Sequence, residues 1–117
     1  MSDEFIKVAT KEIREEILGI GDILKSCHED ENISKNSENL QKHTHKIKGL
    51  APMMGKSSMG ILAAVLDDIL KQIMVGKRPS GIFDLMMVSY EKMVQNMKDN
   101  LDLGPQIEKV KNFYGGM

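Results

Sequence analysis

The sequence predicts an all-α protein, an antiparallel up-down four-helix bundle with a short fifth helix at the C-terminus. Three observations predict it. Aromatic residues make up only 4% of the chain and β-branched runs are absent, so little favours strands. Apolar residues recur at steps of three and four almost throughout, which is the spacing of one helix face. The segments with that spacing are joined by short stretches of Gly, Pro, Ser and Asn, and short connections make antiparallel neighbours.

The first helix is expected over residues 3–27, with Ile6, Ala9, Ile13, Ile17, Ile20 and Leu24 on one stripe. The polar stretch 28–39 (HEDENISKNSEN) interrupts that pattern and is expected as a loop, with Ser34 or Ser37 capping the next helix. A second helix spans 37–54 and turns Leu40, Ile47, Leu50, Ala51 and Met54 inward. Pro52 should kink or end it, because proline removes the hydrogen bond to the Lys48 carbonyl. Ser57 or Ser58 caps a third helix over 57–75, carrying Met59, Leu62, Val65, Leu66, Ile69 and Ile73 and stopped by Gly76 before Pro79. Ser80 opens a fourth over 80–101, with Ile82, Phe83, Met86, Tyr90, Met93, Val94, Met97 and Leu101 facing inward. Gly104 and Pro105 separate it from a short fifth helix over 105–114.

A chain of 117 residues suffices for one domain, 1–117, with a core that needs no staples. A net charge of −1 offers no overall field for nucleic acid or an anionic membrane, so electrostatic recognition must be local. The single cysteine, Cys27, cannot pair internally and is expected to be a buried, inert thiol in a reducing compartment. The start, MSDEFIKVATKEIREE, lacks the apolar run of a signal peptide, and no stretch approaches the ~18 apolar residues of a membrane span. A cytoplasmic protein is therefore expected, and a monomer; a free-standing protein and a piece of a larger kinase both stay open, with the native-looking start and short tail slightly favouring the first. The ten methionines mostly fall on core stripes and are expected as flexible core filler.

The informative stretch is 43–55, HTHKIKGLAPMMG. With His45 at zero on a helical wheel, the apolar residues of its helix fall between about 140° and 240°. His45 therefore points away from the buried stripe. His43 lies at about 160° and is expected in the core or at its boundary with a satisfied hydrogen bond. His28, in a charged loop, should be solvated. Gln41, Lys48, Gly49 and Pro52 lie within about 60° of His45. Glycine inside a helix costs about 1 kcal/mol relative to alanine, so a bare patch at Gly49 implies close approach by something outside. Between Glu38 and Asp67 there is no carboxylate, while Lys42, Lys46, Lys48 and Lys56 are present. That local positive charge suits an acidic or phosphate-bearing partner.

The run His45-Lys46-Ile47-Lys48-Gly49, followed by Ala51, Met54 and Gly55, resembles the signature of histidine phosphotransfer (HPt) domains. Its wording is most similar to the amino-terminal phosphotransfer domain of chemotaxis histidine kinases. The following segment, GKSSMGILAAVLDDILKQIMVGK, stands at the distance the family shows, and the resemblance extends over nearly the whole chain. It implies a bundle of four antiparallel helices with a shorter fifth. It also implies that His45 accepts a phosphoryl group, that Lys48 stabilises it, and that a carboxylate on the next helix orients the ring. Counted without gaps, that carboxylate is Asp67, 22 residues after His45. The family place usually holds glutamate, so Asp67 reaches the ring poorly or through water. A second histidine common in the family is Ala64 here, and Pro52 stands where a small residue is usual. Gln41, Lys42, Lys46, Gly49, Pro52 and Lys56 are the expected docking residues. The implied partners are a histidine kinase and a response-regulator receiver domain, which supply ATP and Mg²⁺; no cofactor is expected in this chain.

Two other classes compete. A helical adaptor would bind a partner through the Lys42 to Lys56 face without phosphorylation. A di-metal bundle needs inward Glu-x-x-His pairs, and the sequence has none.

Overall fold

Helix α1 (Asp3–Leu24) starts where the Ser2 hydroxyl accepts a hydrogen bond from the Phe5 N–H at 3.2 Å, with Asp3 and Glu4 complementing the helix dipole. The computed structural model describes residues 2–117, and Met1 lies outside the described residues. Ala9, Ile13, Ile17, Ile20 and Leu24 are buried, as their spacing predicts. Ile6 is not: it is 41% exposed, because the first two turns of α1 overhang the core.

The expected loop over 28–39 contains a short helix instead. Helix α2 (Asp30–Lys35) is started by Asn32, whose Oδ1 accepts from the N–H groups of His28 and Glu29. Six residues are too few to show a periodicity, and so short a helix persists only through tertiary contacts. Ile33, completely buried, supplies one. Asp30 supplies another: its carboxylate accepts from the N–H groups of Gly81 and Phe83 at 2.9 and 2.8 Å. These are unpaired donors of the first turn of α5 (Ile82–Asp99), so α2 caps a helix distant in sequence.

Helix α3 (Ser37–Leu50) follows α2 directly. Neither Ser34 nor Ser37 caps it; the Ser37 hydroxyl donates backwards to the Ser34 carbonyl. Pro52 does end α3, opening a 3-10 turn (Pro52–Met54). Helix α4 (Ser57–Met74) begins after Lys56 with no side-chain cap, so Ser57 and Ser58 do not play that part. Gly60 explains the tight junction: a Cβ there would stand 2.7 Å from Pro52 Cγ. Gly76, at φ 114°, follows the end of α4 as expected. Helix α5 stops earlier than the apolar pattern implies, because Asn100 adopts a left-handed conformation (φ 59°) and bonds back to Asn96. Helix α6 (Gly104–Gly115) carries Pro105 in its first turn.

The most extensive packing is between α3 and α4, followed by α1 on α3 and α6 on α4. Helices α3 and α4 run antiparallel, since Pro52 meets Gly60 while Gln41 meets Asp67. The core between them holds Leu40, Ile47, Ala51, Leu62, Leu66 and Leu70, all fully buried. A buried leucine or isoleucine contributes about 1.5–3 kcal/mol, so this face carries much of the stability. Met59, Met86 and Met93 are buried, with Met54, Met87 and Met97 packed at the margin, whereas Met53 and Met74 are exposed. Among the described residues no helix is long and apolar enough to cross a membrane.

Cys27 is buried beyond the end of α1, where desolvation pushes its thiol up from the usual value near 9.0, partly offset by a hydrogen bond from Ser26. The folded chain should therefore react with maleimide far more slowly at pH 8 than the urea-unfolded chain. Above the usual thiol range the unfolded chain ionises first, so Cys27's contribution to stability falls as pH rises through that window. Asp30→Ala removes both bonds to α5 and should destabilise the protein by about 2 kcal/mol in urea titration.

Candidate functional site

Helices α3 and α4 together position the site. On α3, Leu40, Thr44 and Ile47 are buried, and this fixes the rotation of the helix. His45 follows Thr44 by one residue, so it turns outward, and its side chain is 62% exposed. On α4, Asp67 belongs to the buried face and is completely inaccessible.

A buried carboxylate needs compensation, and its two oxygens receive different kinds. Oδ1 accepts a hydrogen bond from Gln41 Nε2 at 2.7 Å. Thr44 Oγ1 lies 3.4 Å from the same oxygen and 3.0 Å from the Gln41 carbonyl; its single proton favours the shorter bond. Oδ2 is buried and accepts no hydrogen bond. Around it stand three nitrogens: Lys71 Nζ at 3.0 Å, His45 Nδ1 at 3.9 Å and Lys48 Nζ at 3.9 Å. Lys71 is close enough to donate but out of line, so its contact is ionic. The other two lie beyond hydrogen-bond reach.

His45 thus presents Nδ1 towards a carboxylate and makes no direct bond to it. Among the described residues Nε2 has no protein partner. Lys48 leans over the same oxygen from one turn further along α3. Gly49 is exposed, and a Cβ built there would meet nothing within 4 Å. Nothing within the chain requires glycine at that position. Pro52, also exposed, continues this surface.

The remaining expected docking residues divide. Lys42 makes only an exposed ion pair with Glu38, which is worth little. Lys46 leans towards Glu16 at 3.7 Å. Lys56 reaches across to α5, where its ammonium donates to Asn96 and Asn100, away from His45. Gln41 is committed to Asp67. His43 is half-buried with Nδ1 2.7 Å from Glu16 Oε1, a satisfied boundary histidine, while His28 is exposed. Among the described residues no three His, Cys, Asp or Glu side chains are grouped to hold a metal ion.

Sequence reasoning missed Lys71 and Thr44. Lys71 was available to it, because a lysine four residues after an aspartate shares its helix face. Thr44 was harder, since a threonine beside the apolar stripe carries no mark of its partner.

Gln41→Ala leaves a buried carboxylate oxygen short of its best donor and should cost about 2 kcal/mol in urea unfolding, against less than about 0.5 kcal/mol for Lys42→Ala. Compared with models of protein families, with curated proteins and with solved structures, the chain matches none.

Proposed function

We propose that this chain is a histidine phosphotransfer module of the HPt family, in which His45 takes a phosphoryl group from one protein and passes it to another. The observation that carries the proposal is an exposed imidazole whose Nδ1 side faces a fully buried carboxylate, beside the open backbone of Gly49 and the ammonium of Lys48. By this reading the four long helices α1, α3, α4 and α5 form an up-down antiparallel bundle, with α6 as the short extra helix. By the same reading the module is a cytoplasmic monomer that resembles the phosphotransfer domain of chemotaxis kinases.

The chemistry follows from the ring. With a proton on Nδ1, the Nε2 lone pair is free to attack phosphorus. The N–P bond forms as the bond to the donor oxygen breaks, and the leaving oxygen keeps the electron pair. The ring becomes cationic because Nδ1 retains its proton, and Asp67 balances that charge. Lys48 offsets the negative oxygens of the phosphoryl group. Positioning and charge neutralisation dominate phosphoryl transfer, and the partners provide most of both: a kinase brings ATP and Mg²⁺, and a receiver domain brings its acidic Mg²⁺ pocket and aspartate. The chain is a carrier and not a self-sufficient enzyme. Docking uses the surface of Gly49 and Pro52 with Lys42, Lys46 and Lys48 around it.

Incubation with a histidine kinase and labelled ATP, or with a phosphorylated receiver domain, should give an acid-labile, base-stable label at a single site. His45→Gln should abolish it, while His43→Gln and His28→Gln retain it. A chain that binds such partners equally well with His45→Gln, and never becomes labelled, is instead a helical adaptor.

A further inference from the structure

We infer that Lys71 is a second phosphoryl-binding cation, held against Asp67 in the resting site and released to the phosphoryl group when His45 is modified. This rests on His45 being the acceptor. Three nitrogens stand within 3.9 Å of Asp67 Oδ2, yet that buried oxygen accepts no hydrogen bond. Such an acceptor takes whichever donor makes the strongest in-line bond.

In the resting chain the ring stands too far away to bond, so the ammonium of Lys71 balances the carboxylate from 3.0 Å, off the hydrogen-bond direction. Once Nε2 carries the phosphoryl group, the ring is cationic and its Nδ1–H is a charge-assisted donor. A ring shift of about 1 Å brings Nδ1 within reach of Oδ2. Asp67 is then balanced by the ring, and Lys71 is left beside a newly arrived anion. The geometry permits the exchange. The Lys71 side chain is 49% exposed, on a flexible four-carbon stem, whereas Asp67 is fixed by Gln41. Lys48 comes from α3 and Lys71 from α4, so two lysines on different helices approach the oxygen that the His45 ring faces. One carboxylate thereby couples the charge of the ring to the placement of a cation.

The test uses the full chain and potassium phosphoramidate, a donor that needs no partner protein. Its P–N bond breaks as Nε2 attacks, and the donor nitrogen leaves as ammonia. Formation and hydrolysis of phosphohistidine are followed by ³¹P NMR at pH 8, with circular dichroism to confirm folding. Lys71→Met should slow formation and shorten the lifetime of the phosphohistidine, each by roughly three- to tenfold, and should shift its ³¹P signal. Lys71→Arg, which keeps the charge, should restore most of both rates. Wild-type rates and an unchanged ³¹P signal in folded Lys71→Met overturn the role of Lys71 and leave His45 as acceptor. A folded wild-type chain that gains no phosphoryl group on His45 while His28 reacts overturns both.

Discussion

The structure is organised around one buried negative charge. Asp67 sits completely inside the contact between α3 and α4, the largest helix-helix contact in the molecule. Desolvating a carboxylate costs several kcal/mol unless partners compensate it. Gln41 donates to it from α3 at 2.7 Å, and the ammonium of Lys71 balances it from its own helix at 3.0 Å. An apolar residue would fill the same space without specifying which turn of α3 faces it. The carboxylate does specify this, and the position of His45 follows from the same register.

The two oxygens of Asp67 have different surroundings. Oδ1 is tied into the helix interface by a short hydrogen bond. Oδ2 faces the rim, ringed by two ammonium groups and an imidazole, with no hydrogen bond of its own. A group satisfied on one side and electrostatically crowded on the other is rigid in position yet responsive to the charge of its neighbours. Under the proposed function, that combination suits a histidine whose charge changes as it takes up a phosphoryl group.

Short, irregular pieces set the boundaries of this arrangement. Pro52 ends α3 seven residues beyond His45 and packs on Gly60, locking the turn between the helices that make the site. Helix α2 anchors itself with Ile33 and sends Asp30 to the start of α5. Lys56 ties the start of α4 to the end of α5 through Asn96 and Asn100. The contacts of Asp30 and Lys56 each span 40 residues or more, and Asp30 stands in for the side-chain cap that the start of α5 lacks.

Much of this was legible in the residues alone. The helical class, the long helices, the break at Pro52 and the outward turn of His45 all follow from periodicity and backbone chemistry, which act over a few residues. The separate roles of His43 and His45 follow as well, because a wheel places them on opposite sides of one helix. Other features required the folded chain. Helix α2 is too short to carry a period, and its stability is borrowed from α5. Asn100 ends α5 through its left-handed backbone, ahead of the glycine that the pattern favoured. Ile6 shares the stripe of α1 but overhangs the core. Above all, a sequence records that Asp67 and Lys71 lie on one helix face. Only packing decides that the carboxylate is buried, that Gln41 is spent on holding it, and that the imidazole stops 3.9 Å short. Burial and distance depend on which surfaces meet, and no local spacing contains that information.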